Sequence, residues 1–360
     1  MSQSSFLRHI TIALAALSGL CCFTAAAADN DTAEPKALEF SPAFKFHGTL
    51  RGRYEVLTDN GDGRFQVRNA RLSLGGDVAP WISYLTQVDI SDNSAFKFLD
   101  GYVTLKPSKV IDIVVGQSRV SFNNESFLAP HSYIFANRSF VSKDLGSKRR
   151  PGIKARIRPL NHGASDLAIE ANISNSGAHG ASGWSNHYTY AARATLNKSI
   201  AGAGHNIIAE VGFQSIHPDI VRINCYDAAL QWRFDDLYTK AEITHWRYSH
   251  DAHPAATAYL IEADYGRHLK SNAITRVSAQ TRFDALSDFS TGALVGDDGG
   301  ALVTDKCARK RLTIGATATN INKYCRTDLR LNYEHYFYGD NAAYSAADGS
   351  KVTIELVVHF

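Results

Sequence analysis

The ten residues Lys351-Val352-Thr353-Ile354-Glu355-Leu356-Val357-Val358-His359-Phe360 decide how the chain is read. Val352, Ile354, Leu356, Val358 and Phe360 share one parity, and Lys351, Thr353, Glu355 and His359 share the other; Val357 is the single apolar residue on the polar side. A period of two marks a strand with one apolar and one polar face. The run stops on an aromatic side chain with no polar tail, an ending from which a water-soluble sheet gains little. A strand that lays its apolar face against hydrocarbon and pairs with the first strand to close a ring gains from both features. The expected fold class is therefore all-β, a transmembrane antiparallel β-barrel.

The same alternation recurs along the chain. Phe44, Phe46, Gly48, Leu50, Gly52, Tyr54 and Val56 face one way, and Lys45, His47, Thr49, Arg51, Arg53 and Glu55 the other, before Asp59-Asn60-Gly61-Asp62-Gly63 turns the chain. Between Arg64 and Leu74 the parity slips: Phe65 and Val67 are odd, whereas Ala70, Leu72 and Leu74 are even. One extra residue restores the pattern, which predicts a β-bulge near Arg68-Asn69. Further apolar sets bring the count to sixteen strands, with Leu329-Leu331-Tyr333 the last before the terminal run. Short connections at 75–80, 106–109, 159–165, 235–236 and 269–272 alternate with long ones at 118–149, 174–186, 215–224, 249–255, 284–308 and 338–349. Short turns on one side and longer loops on the other fit an outer-membrane barrel with both termini in the periplasm, although 57–63 and 91–95 are brief for the long side. A soluble sandwich or propeller also alternates. Aromatics near strand ends, the terminal Phe and Arg-rich polar faces weigh against it.

The N-terminal stretch has Arg8, an apolar run from Ile10 to Phe23, and small residues to Ala28. This reads as a secretory signal peptide over 1–28, followed by a polar periplasmic lead-in over 29–43 and the barrel over 44–360. Cys21 and Cys22 suggest a lipid anchor, but Leu20 stands where a lipobox wants a small residue. No later segment reaches the roughly 18 apolar residues of a membrane helix. Cys225, Cys307 and Cys325 remain, so at most one disulfide forms, and no spacing suggests a metal. The leader holds one of 38 Lys and Arg and none of 35 Asp and Glu, so 38 − 1 − 35 leaves a charge of +2, which excludes nucleic-acid binding by bulk charge.

If apolar faces meet lipid, the polar faces line a lumen, and sixteen strands leave a water-filled one. Its cations are uneven. The first two strands supply Arg51, Arg53, Arg64, Arg68 and Arg71; the sixth supplies Lys154, Arg156 and Arg158; the longest loop and its flanks add Arg119, Lys143, Lys148, Arg149 and Arg150. These are the expected pore-lining, anion-binding residues; in a porin the longest loop can fold inward and constrict the pore, and the sequence leaves open whether this one does. Spaced guanidinium groups in a low-dielectric passage lower the energy of an entering anion, and the guanidinium fork matches two oxygens of a carboxylate or phosphate. Asp89, Asp100, Asp112, Glu170, Glu210, Asp227, Glu242, Glu262 and Asp264 also face inward by parity and either neutralise the cations or set up a transverse field. His245, His250 and His253 near an outer loop, and the Asp residues within 296–300, are weak metal candidates; no catalytic set and no cofactor or metal site is expected.

Phe65-Gln66-Val67-Arg68-Asn69-Ala70-Arg71-Leu72-Ser73-Leu74-Gly75-Gly76 resembles the F-x-V-R-R-A-R-L-x-L-x-G block of the phosphate-selective porin O and P family, with Asn69 where a second Arg is common. Asp100-Gly101-Tyr102, Val115-Gly116-Gln117-Ser118-Arg119-Val120-Ser121-Phe122 and Asn137-Arg138-Ser139 continue the likeness over about 64–142, with Ser121 where Pro is common. The terminal Phe is likewise similar to the end of bacterial outer-membrane barrels. The resemblance implies a trimeric channel in the outer membrane of a Gram-negative bacterium, with membrane lipid and small anionic solutes, phosphate among them, as its partners. The expected function is passive diffusion of small hydrophilic solutes with a preference for anions. An outer-membrane lipase or protease, or a plugged structural or adhesin barrel, is the alternative.

Overall fold

The computed structural model describes residues 44–91, 95–146, 148–162, 165–176, 184, 186–200, 204–218, 221–292, 302–339 and 348–360. The expected signal peptide, the lead-in and the 296–300 acidic tip lie outside these residues.

Sixteen antiparallel strands form one closed ring: β1 (Phe44–Leu57), β2 (Gly63–Ala79), β3 (Ile82–Ser91), β4 (Ala95–Leu105), β5 (Ile111–Arg119), β6 (Arg149–His162), β7 (Ser165–Asn175), β8 (Tyr188–Ile200), β9 (His205–Ile216), β10 (Ile223–Phe234), β11 (Leu237–Tyr248), β12 (Ala256–His268), β13 (Arg276–Leu286), β14 (Arg309–Ile321), β15 (Arg326–Tyr338) and β16 (Lys351–His359). Each strand pairs with its sequence neighbours, and β1 closes on β16 from Thr49 opposite His359 to Leu57 opposite Lys351. Closure leaves no unpaired edge, the condition for placing a sheet in hydrocarbon.

Parity sorts the side chains as expected. On β16, Ile354 and Leu356 are both 48% exposed on the outside, whereas Thr353 and Glu355 are fully buried inside. The outer surface carries apolar residues at mid-height, with Phe44, Trp81, Trp232 and Tyr265 exposed near the short-turn end and Phe65, Phe96, Tyr226 and Phe337 near the long-loop end. Aromatic residues at two levels on either side of an aliphatic band are what a bilayer with two interfaces selects. The bulge lies where the parity slip put it: Arg51 opposes Asn69 and Gly52 opposes Val67, leaving Arg68 as the extra residue. One expectation shifts. The connection read as 269–272 runs on to 275 and the strand after it begins at Arg276, because the Ala273 and Ile274 amides reach the Ser271 hydroxyl in a turn.

Cys225, Cys307 and Cys325 are free. Cys325 occupies the tight turn between β14 and β15, and Cys307 precedes β14 at the opposite end of the barrel, too far along the strand axis for a disulfide.

The seam between β1 and β16 has a specific lock. The Phe360 amide donates to the Gly48 carbonyl at 3.1 Å, the Gly48 amide donates to the Phe360 carbonyl at 2.8 Å, and the Phe360 ring lies where a Gly48 side chain would be. Phe46 flanks the same ring at 6.1 Å between centroids. Gly48→Val should displace Phe360 and lower barrel stability by about 1–3 kcal/mol, read as a lower thermal midpoint by far-UV circular dichroism in detergent; an unchanged midpoint would mean that the ring contributes nothing to closure.

Candidate functional site

The loop over 120–148, between β5 and β6, turns into the barrel and crosses it. Its own residues explain why. Phe122, Phe140, Val141 and Leu145 are buried against Trp246 and Tyr248 of β11, Ala256, Ala258 and Leu260 of β12, Leu286 of β13 and Tyr336 of β15. Each large apolar side chain removed from water contributes about 1.5–3 kcal/mol. The inner wall of β12 is apolar at Ala256, Ala258 and Leu260 and becomes acidic at Glu262 and Asp264. The buried apolar side chains of the loop pack on the apolar part. Gly212 on β9 admits the loop backbone, because a side chain there would meet the Phe122 carbonyl.

Polar clamps from much of the circumference then hold the loop. The Ser121 hydroxyl donates to Glu170 at 2.8 Å, and the Glu125 amide donates to Glu242 at 3.1 Å. The Lys240 ammonium pairs with the Glu125 carboxylate and, at 2.9 Å, with Glu242. The Phe140 amide donates to Asp284 at 3.0 Å. Buried arginines take up loop carbonyls that would otherwise lack donors: Arg51 binds Ala136 at 2.5 Å, Arg282 binds Asn137 at 3.1 Å, Arg311 binds Arg138 at 2.8 Å, and Arg330 binds His131 at 3.2 Å. Arg282 also stacks on the Phe135 ring at 4.6 Å and Arg311 on the Phe140 ring at 4.7 Å, where Arg309 joins it at 4.8 Å. Ser139 caps a single helical turn, Phe140–Lys143, by accepting from the Ser142 amide at 3.2 Å.

Around the loop the lumen contains distinct cavities. One of about 420 Å³ lies between the loop and β1–β6. Its lining includes the expected Arg51, Arg68, Arg71, Arg119, Lys143, Lys148, Arg149 and Arg150, together with Lys97 and Arg138, against one carboxylate, Asp89. Several of these cations are already committed. Arg51 grips Glu355 at 2.7 Å, Arg71 grips Asp89 at 3.1 Å, Arg149 bonds Asp100 at 2.8 Å, Lys143 bonds Asp348 at 2.9 Å, and Arg150 donates to the Asn175 carbonyl at 3.1 Å. The side chains of Lys97, Arg119, Arg138 and Lys148 form no hydrogen bond or ion pair with another described residue. A smaller cavity of about 230 Å³ toward the short-turn end shares Arg71 and Pro130 with the first and adds His47, His131 and His359. Burial, the stacked His359 ring and nearby Arg326 and Arg330 push His131 down to about 4, so it is uncharged at neutral pH.

Five expected residues lie elsewhere. Arg53 and Arg64 both pair with Glu55, at 3.2 and 2.7 Å, toward the long-loop end. Lys154 faces the Phe127 ring at 5.4 Å, Arg156 pairs with Glu170 at 3.3 Å, and Arg158 pairs with Asp112 at 2.7 Å. Parity sends a side chain inward but leaves open its height and its partner, and inward acids on the same or the adjacent strand take four of these five cations. The arginines on the opposite wall, Arg282, Arg311 and Arg330, were not anticipated; their inward parity and the apolar inner face of β12 were the available signals. The three histidines of the outer loop do not converge: His245 bonds Thr257 at 2.9 Å, and His253 bonds Thr304 at 3.1 Å.

The arrangement has solved counterparts. OprB of Pseudomonas putida superposes with a TM-score of 0.60 at 9% identity, covering 88% of this chain and 93% of that one. An anion-selective porin from Comamonas acidovorans gives 0.57 at 10% identity, with coverage of 89% and 99%. OmpT, an outer membrane protein of Vibrio cholerae, gives 0.58 at 10% identity in a form lacking loop L8, with coverage of 89% and 99%. The chain has the fold of bacterial outer-membrane porins. At such identities the likeness is one of fold. No family model matches the chain, and no curated protein does.

Two outcomes test the loop's attachment. Burial alone would raise the Asp348 carboxyl, but Lys143, Lys306 and Arg309 outweigh it and hold the group at about 2, below its ordinary 3.8. A depressed acid stabilises the fold at pH values above its unfolded pKa and loses that contribution as pH falls through the folded value. Proteolysis of the loop should therefore be flat above about pH 4 and rise between 3.8 and 2, whereas Asp348→Asn should be cleaved faster throughout. Arg311 bonds Asp284 at 2.7 Å and the Tyr336 hydroxyl at 3.0 Å in addition to the loop carbonyl. Arg311→Ala should cost about 3–5 kcal/mol, because it strands buried acids, as measured by equilibrium unfolding from lipid vesicles.

Proposed function

We propose that the protein is a passive diffusion channel of the Gram-negative outer membrane for small hydrophilic solutes, with a preference for anions. The observation that carries this reading is the cavity of about 420 Å³ in which ten basic side chains face a single carboxylate. Uncommitted Lys97, Arg119, Arg138 and Lys148 carry the positive field and offer donors to a passing oxyanion, while Arg71 and Arg149 are neutralised by Asp89 and Asp100. Several moderate sites in series suit conduction better than one tight site. The smaller cavity, which shares Arg71 and Pro130 with the larger one, lies toward the short-turn end. Inorganic phosphate fits the guanidinium forks, and the likeness of 64–76 to the phosphate-selective porin block supports it as a solute. The barrel is proposed to assemble as a homotrimer surrounded by outer-membrane lipid; a Vibrio cholerae OmpT structure of the same fold is described as a trimer form.

The number of clamps on the crossing loop favours a second reading, a barrel with a plugged lumen. Conductance separates the two. In planar bilayers under a salt gradient, the channel reading expects a reversal potential on the anion side, larger with phosphate and chloride than with bulky organic anions. Charge reversal at Arg119 and Arg138 should move that potential toward cations, whereas Arg156→Glu with Arg158→Glu should move it less, because those two are neutralised by Glu170 and Asp112. A silent bilayer would favour the plug, and an unmoved potential in the first pair would remove the cationic cavity from the account.

A further inference from the structure

On the far side of the loop lies a different chamber. It has a volume of about 440 Å³, is roofed by Leu128, Tyr133 and Ile134 of the loop, and reaches the turn at Asp235-Asp236 between β10 and β11. Its chemistry turns on Glu262. In the sheet Glu262 stands opposite Lys240 on one side and Arg282 on the other. Both cations are drawn elsewhere: Lys240 to the Glu125 carboxylate of the loop and, at 2.9 Å, to Glu242 of its own strand, Arg282 to the Asn137 carbonyl of the loop at 3.1 Å. The next inward acid along β12, Asp264, is satisfied by the Arg276 guanidinium and by Gln280 at 3.0 Å. Glu262 is left only 4% exposed, lining the chamber, with no hydrogen bond or ion pair to any described residue.

We infer that this chamber is a binding site for a primary alkylammonium cation, with its ammonium group on Glu262 and its short chain beneath Leu128 and Ile134. A buried carboxylate without a donor is costly, and a compact ammonium brings three N–H donors. The Tyr133 ring gives the cation a second attractive surface, and the apolar roof takes a methylene chain that a metal ion or a bare ammonium would leave unused. Asp235 and Asp236 at the mouth raise the local concentration of cations arriving from the short-turn side. The lining also holds four arginines, of which Arg276 is paired with Asp264 and Arg326 and Arg330 with Asp328, while Arg233 lies over the Tyr238 ring at 5.5 Å. Glu262, Asp235 and Asp236 therefore outnumber the one arginine without a carboxylate partner among the described residues, which disfavours an anion. The site therefore selects the opposite charge from the cavity across the loop, and it stands whether or not that cavity conducts.

The experiment uses the full-length protein in detergent micelles and ligand-observed saturation-transfer NMR with n-butylammonium, n-butyrate and n-butanol. Saturation is expected to reach the butylammonium methyl group and not the other two; equal transfer to butanol, or none to butylammonium, overturns the assignment. Glu262→Gln keeps the shape and removes the charge, and it should weaken butylammonium binding at least about tenfold, the range expected for losing a charged hydrogen bond. Unchanged binding by a folded Glu262→Gln protein also overturns it. If that variant does not fold, the comparison of the three ligands on the wild type decides alone. Bilayer conductance is not the readout, so failure here is separable from failure of the channel proposal.

Discussion

The whole molecule rests on the absence of water around its circumference. In hydrocarbon a backbone N–H or C=O without a partner costs several kcal/mol, so the strands must pair on both edges and the sheet must close. β1 meets β16 along the full shared register, and Phe360 completes the last pair with Gly48. Once the ring is closed, successive residues face opposite surroundings. Glu355 and Leu356 are adjacent in sequence, yet one is buried among guanidinium groups and the other is half exposed on the outer wall. The sorting of polar from apolar side chains is a consequence of closure.

Inside, the problem reverses. A wide ring with a polar inner face would hold only water, and the crossing loop turns that space into chambers of different charge. Its apolar side chains find the one apolar patch on the inner wall, and its backbone carbonyls are met by arginines from β1, β13, β14 and β15. The same attachments set the electrostatics. On the β1–β6 side the loop adds Arg138, Lys143 and Lys148 to a wall whose one lining carboxylate is Asp89, and a positive chamber remains; on the other side it engages Lys240 and Arg282, and Glu262 is left without them. One loop thus produces both polarities.

Much of this was legible from residue order. Period-two alternation gave the strand number, the bulge at Arg68 and the inward direction of nearly every charge, because one residue of slip would expose a whole apolar face to the wrong solvent. The loop's length and its cations were legible, but its inward turn was not. Nor was its anchorage, because that depends on which strands stand opposite one another across the barrel, and local pattern carries no such information. Arg156 illustrates the limit. Its parity is correct, but Glu170 on the adjacent strand neutralises it. Arg311 illustrates the converse, an inward cation whose role appears only when Asp284 and the Arg138 carbonyl are brought together.

The loop's attachment to opposite walls has a mechanical meaning. A ring of strands joined only to their neighbours is a hoop, easily flattened by the lateral pressure of a membrane. Bonds from one loop to β7, β11, β13, β14 and β15 act as spokes, and spokes fix the cross-section of a wheel. The aperture is then a property of the spokes more than of the rim, so the bore can be retuned by changing a single connecting segment while the lipid-facing hoop stays as it is.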